Sequence, residues 1–261
     1  MANAALRECL YNLRRFMPKL IYKWFVSLAG QRSANFRLLL FSECTGCFCL
    51  CFSASASFAV AGINALIGVA ILCKKPARYE IPLVGFPLLF ALQQFVEGLL
   101  WILLPDAPQG MPVISALAML FIVFAEIIWP VMTPIAVLMI ETAPQRRRIL
   151  RSLTLLGLLV SGYLLYAILT SPVNAEIHNH SIRYFNDFPY LVSYRLVYVV
   201  AISGPLLLSS QHTIRIFGVL VFLGYIMSLY LYIDALISVW CFFAAAASGV
   251  LYFHFQRLRP V

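Results

Sequence analysis

Seven apolar stretches, each long enough to cross a bilayer as a helix, leave this chain little room to be anything but a membrane bundle. A helical span needs about 20 apolar residues, so seven of them use most of the 261 residues present. The runs are continuously apolar rather than alternating, which excludes the strands of a membrane barrel. Charged residues make up 11% of the chain, against about 25% in a soluble domain, so the surface is built for lipid. The net charge of +9 does not point to nucleic acid. The Lys and Arg lie largely in the connections between spans, where they set topology.

The expected spans are Ser53 to Cys73, Ile81 to Leu104, Pro112 to Ile140, Ile149 to Leu169 and Pro189 to Leu208, followed by two that share the run from Ile214 to Phe255 with a turn at Asp234. The third is long enough to tilt or to kink at Pro130 and Pro134, and Gly204-Pro205 interrupts the fifth. The connections alternate in charge. Lys74, Lys75 and Arg78 follow the first span, Arg146, Arg147, Arg148 and Arg151 follow the third, and His212 and Arg215 follow the fifth. The tail carries Arg257 and Arg259. The connections between these have at most one cation, Arg183. The positive-inside rule then places the basic connections and the C-terminus in the cytosol and the start of the first span outside. The expected fold is all-α, a polytopic transmembrane bundle of seven spans.

Residues 1–50 conflict with that orientation, because Arg7, Arg14, Arg15, Lys19, Lys23, Arg32 and Arg37 would all have to cross the membrane. They read as a basic N-terminal extension to the seven-helix domain of residues 51–261. Either Phe36 to Cys51 forms an extra span, or the segment is an interfacial basic arm, or it is not native to the working protein. Its cysteine run, Cys44-Thr45-Gly46-Cys47-Phe48-Cys49-Leu50-Cys51, has neither a histidine nor a second Cys-x-x-Cys beside it to make a zinc site.

From Cys51 onward the chain resembles an uncharacterised family of bacterial seven-pass integral membrane proteins, a domain of unknown function whose members open with Met-Cys-Phe-Ser-Ala. The resemblance rests on Leu50-Cys51-Phe52-Ser53-Ala54, Gln93-Gln94-Phe95-Val96-Glu97-Gly98-Leu99-Leu100-Trp101, and Trp129-Pro130-Val131-Met132-Thr133-Pro134 with Glu141. His180-Ser181-Ile182-Arg183-Tyr184 and Ser238-Val239-Trp240-Cys241-Phe242-Phe243 complete it. It implies a multi-pass protein of the bacterial inner membrane with lipid as its partner. It also implies that translation starts at position 50, where Leu50 stands in place of the family's initiating Met, and this favours the third explanation for residues 1–50. It carries no activity, and the oligomeric state stays open.

Polar groups inside a membrane cost several kcal/mol unless paired or hydrated, and here they gather toward the outer side. Gln93 and Glu97 share a face of the second span one turn apart. Glu126 lies near mid-depth in the third, Arg195 near the outer end of the fifth, Asp234 at the outer turn, and Ser53 at the outer end of the first. His178 and His180 lie in an outer connection. Trp240 is added because Cys241 and more aromatics continue from it into the last span, although packing alone accounts for it. Each of these has a plain structural reading as well: Glu97 can pair with Arg195, and serines can bond back to their own helix.

Three functions compete. The first is a membrane-embedded hydrolase with Glu97, Glu126 and His180 as catalytic groups, or with zinc held by His178, His180 and Glu97. In architecture this is similar to the alkaline ceramidase and adiponectin-receptor superfamily, seven-pass proteins with a zinc site. Their last helix carries His-x-x-x-His, whereas this one has only His254. The second is a small transporter or channel using Glu97 and Glu126 as a proton or cation path, with helices broken at proline. The third is a structural membrane subunit, its polar residues serving as interhelical glue. Whether the protein is an enzyme stays open. The orientation is testable directly. A fluorescent reporter fused after Val261 is expected to fold in the cytosol, and a cysteine placed at Gly110 to react with a membrane-impermeant maleimide added to intact cells.

Overall fold

The computed structural model describes residues 53–106, 111–178, 180–191 and 193–256. The extension and cysteine run expected over residues 1–50, and the tail arginines Arg257 and Arg259, lie outside the described residues. Among the described residues the chain folds into seven helices: α1 (Ala54–Leu72), α2 (Arg78–Leu103), α3 (Pro112–Ile140), α4 (Pro144–Thr170), α5 (Tyr194–Leu208), α6 (His212–Leu231) and α7 (Ile233–Phe255). Six are long and apolar enough to cross a membrane. Large apolar side chains stand on the outer surface of the bundle, among them Leu66, Leu159 and Leu169, as a lipid-facing exterior requires.

Two elements differ from expectation. The connection between α4 and α5 is not plain loop. Strands β1 (Asn174–His178) and β2 (Ser181–Phe185) form an antiparallel hairpin there, with His178 opposite Ser181 and Glu176 opposite Arg183. Its β-branched and aromatic content (Ile177, Ile182, Tyr184, Phe185) suits a pleat, and Ile182 is fully buried beneath it. The fifth helix begins at Tyr194 rather than Pro189. At 15 residues it is about 22 Å long, short of the ~30 Å hydrocarbon core. The stretch before it is irregular backbone, tied down by Phe188 packing on Tyr163, Tyr166 and Tyr190 and by the Leu191 N–H donating to the Tyr163 hydroxyl at 3.0 Å.

α1 turns a stripe of Ser57, Ala61, Asn64, Gly68 and Ile71 inward. Most of these are small residues at helical spacing, which allow α2 and α7 to approach closely. Asn64 fixes the register: its Nδ2 donates to the Ala245 carbonyl at 3.0 Å, and the Ser248 hydroxyl donates to its Oδ1. Ser53 closes the other end of α1 as its N-cap, accepting from the Ala56 N–H at 3.2 Å.

α3 is continuous but changes winding midway. Val123–Ile128 is π-helical, so the Trp129 N–H reaches the Phe124 carbonyl instead of that of Ala125. In this winding the Ala125 carbonyl would be matched by residue 130, but Pro130 has no N–H to give. The Tyr198 hydroxyl of α5 donates to the orphaned Ala125 oxygen. The Ser161 hydroxyl of α4 donates to the Ile127 carbonyl at 2.9 Å. Pro134 strips the Pro130 carbonyl of its helical donor in the same way, and α4 approaches that oxygen so closely that any side chain at Gly157 would collide with it.

The basic connections meet at one end of the bundle. The Glu141 carboxylate accepts from the Ser210 N–H at 2.7 Å and the Ser210 hydroxyl at 2.6 Å, and from the N–H groups of Thr142 and Ala143 at 3.0 Å each. Arg147 Nη1 covers the last carbonyls of α3, at Leu138 and Glu141, and Arg146 Nη1 covers the Leu208 carbonyl ending α5. Glu80 and His254 approach to 3.8 Å beside them, the Arg78–Glu80 turn packing on the Trp129–Ile140 half of α3.

Two stability outcomes follow from these contacts. Burial pushes the Glu141 carboxyl up, but the Ser210 hydroxyl and the backbone donors of Ala143, Ser210 and Thr142 outweigh it and hold the group below its ordinary 4.5. A lowered folded-state pKa contributes stability that is present above the unfolded value and lost as pH falls through the folded value. Thermal unfolding in detergent is therefore expected to show stability falling below pH ~4.5, the window set by the unfolded group. Glu141→Gln should lose about 1–3 kcal/mol at neutral pH and flatten that decline. Tyr198→Phe leaves the Ala125 carbonyl buried and unpaired and is expected to cost about 1–3 kcal/mol, whereas Tyr230→Phe, on the exposed surface, changes nothing.

Candidate functional site

A cavity of about 430 Å³ opens at the hairpin end of the bundle, away from the basic connections. Its wall is assembled from the start of α5, the start of α7, β2 and the π-helical part of α3. Each contributes for a local reason. The π segment adds a residue to one turn and so re-aims the side chains around it, and Glu126 lies within it. The late start of α5 leaves space that a full-length helix would fill, lined instead by Asn186, Tyr190 and Tyr194. The α6–α7 turn brings Asp234 to the rim.

Glu126 is 5% exposed, and its Oε2 has no hydrogen-bond partner. Arg195 lies at the other pole of the wall, exposed, with its Nε on the Tyr194 hydroxyl at 3.3 Å and its guanidinium 5.8 Å from that ring. Arg183 is paired across the hairpin with Glu176 at 3.3 Å. Asp234 Oδ2 faces His178 Nε2 at 4.0 Å. The Tyr184 ring stacks on Phe121 with centroids 4.6 Å apart, and its hydroxyl is buried without a partner.

The expected site therefore divides. Glu126, Arg195 and Asp234 come together around one cavity, with His178 beside Asp234. Glu97 does not join them and does not pair with Arg195. It points into the α2–α7 interface, its Oε1 accepting from the Ser238 hydroxyl at 2.5 Å and its Oε2 from Gln94 Nε2 at 3.0 Å. Gln93 accepts from Trp129 Nε1 at 2.8 Å, tying α2 to α3. Trp240 donates to the Val221 carbonyl at 2.9 Å and packs edge-on against Tyr198 and Tyr225, so it holds α7 to α5 and α6. Ser53 is a helix cap.

His180 stands at the hairpin turn with φ of 57°, in the left-handed region few non-glycine residues adopt. Among the described residues no three His, Cys, Asp or Glu side chains gather so as to hold a metal ion. The zinc set of His178, His180 and Glu97 is thus not assembled: the hairpin holds the two histidines at its tip while Glu97 is engaged inside the bundle. Nor does the cavity wall present a Ser, Cys or His among the described residues, so the nucleophile–base pairs of acyl transfer are not set up there. What the wall offers is the buried carboxyl of Glu126, the carboxyl of Asp234 at the rim, guanidinium groups and tyrosine side chains.

Sequence reasoning passed over Asn186, Tyr190 and Tyr194 as lining residues. The signal was present in the polar and aromatic run Arg183-Tyr184-Phe185-Asn186-Asp187 and in tyrosines recurring to Arg195, a pattern unlike that of a lipid-facing helix.

Comparison with the curated proteins and with the solved structures finds no match in either. Residues 50–261 match a family described as a family of unknown function (DUF6629), in keeping with the uncharacterised family that the motifs resemble, and the chain belongs to it.

Proposed function

We propose that the protein crosses the bilayer seven times, with the hairpin outside and the basic connections in the cytosol, and binds a small polar solute in the cavity that ends at Glu126. The single observation that carries this reading is the unpartnered Glu126 oxygen at the foot of a 430 Å³ cavity. A buried carboxyl without donors is costly, and water or a ligand entering from the mouth supplies what the bundle withholds. The irregular backbone before α5 supports the same reading, because non-helical chain at membrane depth is tolerated where it lines a water-filled space.

A transporter fits better than a hydrolase. One turn beyond Glu126 the bundle closes on a small apolar void of about 30 Å³ walled by Phe86, Phe90, Trp129 and Phe217. The cavity is thus open on one side and plugged on the other by aromatics, beside helices that carry Pro130, Pro134 and Pro205 within them. This arrangement suits an outward-facing state with the solute site near mid-depth. As a test, Ile122→Cys and Ile237→Cys, on the cavity wall, should react with an impermeant maleimide from outside faster than the parent protein. Thr133→Cys, beside the void past the plug, should not. Unreactive wall positions in well-folded protein would sink this reading.

A further inference from the structure

The charges of the cavity are arranged in an unusual way for a site closed by its own ion pairs. Arg183 is paired with Glu176 across the hairpin, and Asp234 stands exposed at the rim with His178 Nε2 4.0 Å away, an ion pair when that histidine is protonated. That leaves Glu126 and Arg195. Among the described residues neither has an opposite charge within ion-pair distance, although both line the same cavity. Among the described residues the hydrogen bond of Arg195 goes to a neutral group, the Tyr194 hydroxyl, and Glu126 keeps an oxygen without a partner. The two groups differ in depth, Glu126 buried at the foot and Arg195 exposed at the mouth.

A simple cation drawn to Glu126 would have to pass and then sit near the Arg195 guanidinium. A simple anion drawn to Arg195 would face the Glu126 carboxyl. A group bearing both charges meets both. We propose that the ligand is zwitterionic, entering ammonium first so that its ammonium lies against Glu126 and its anionic end against Arg195. Tyr184, Tyr190 and Tyr194 line the same cavity, and aromatic rings are neighbours that an ammonium tolerates and is attracted to. Arg195 presents the forked donors that carboxylate and phosphate groups accept. A free amino-acid-like solute and an ethanolamine-phosphate headgroup on a lipid share this chemistry.

The proposal rests on the cavity being open to the outside, so its test uses that opening as an internal control. Full-length Ile237→Cys protein is placed in nanodiscs of phosphatidylglycerol and its labelling rate by an impermeant maleimide is measured. The probes are O-phosphoethanolamine, glycine, ethanolamine and inorganic phosphate. A saturating zwitterion is expected to slow labelling about tenfold, ethanolamine or phosphate alone far less. The protection should vanish in Arg195→Gln, an exposed position that leaves the bundle intact, and in Glu126→Gln. Slow labelling in phosphatidylethanolamine nanodiscs, fast labelling in phosphatidylglycerol and no response to free probes would equally support the zwitterion and assign it to the lipid headgroup. Protection by ethanolamine equal to that by phosphoethanolamine, or protection unchanged in Arg195→Gln, would overturn the zwitterion while leaving the cavity reading standing. So would rapid labelling that no probe and no lipid slows. A wall cysteine that never labels would instead defeat the reading on which the proposal depends.

Discussion

The missing N–H of Pro130 is the constraint around which the middle of this bundle is organised. In a segment without water, every backbone carbonyl left without its helical donor has to find another. The π winding of Val123–Ile128 moves the Trp129 N–H back to Phe124, and the deficit then falls on Ala125. Tyr198 and Ser161 answer from α5 and α4, and the bare backbone at Gly157 lets α4 come against the Pro130 carbonyl. Two helices, α4 and α5, are thereby located by the needs of a third. Glu126 is aimed by the same winding, so the group that gives the cavity its chemistry is a by-product of the backbone accommodation.

Three buried carboxyls show what the fold does when it has donors to spare and what it does when it has none. Glu141 collects four hydrogen bonds and clasps two connections together. Glu97 collects two and joins α2 to α7. Glu126, as buried as a residue of either interface, retains an oxygen with no partner. In each of the first two cases the bundle meets the desolvation of the group from within, and the role is structural. In the third it does not, and the residue lines the cavity instead. This contrast, more than the presence of acidic residues in spans, separates a binding group from interhelical glue.

Much of the architecture was legible beforehand, because lipid imposes simple rules. The third helix was expected over Pro112 to Ile140 and is found there, since its apolar run is bounded by a proline at one end and by Glu141 and the arginines at the other. The turn at Asp234 was readable because a 42-residue apolar run from Ile214 to Phe255 is too long for one crossing. The fifth helix was misjudged at its start, because Pro189, Tyr190 and Leu191 are apolar enough to pass for span. Hydropathy does not distinguish aromatic residues facing lipid from those lining a pocket. The hairpin escaped notice because its two strands are short and carry polar residues that read as solvated loop.

The site was legible in part for a related reason. Glu126, Arg195 and Asp234 were singled out as costly groups gathered toward one side, and cost follows from residue type and position along a span. Which of them would meet was beyond reach of that reasoning. Glu97 was matched with Arg195 from the sequence, and the structure gives it Ser238 of α7 instead. The sequence by itself determined that this chain forms helices long and apolar enough to cross a membrane, which connections are basic, and that α3 would lose hydrogen-bond donors at Pro130 and Pro134, because these depend on composition and covalent structure alone. Only the tertiary structure decided which carboxyls are satisfied, which helix starts late and where a cavity remains, because those depend on what each side chain meets across an interface that no single helix contains.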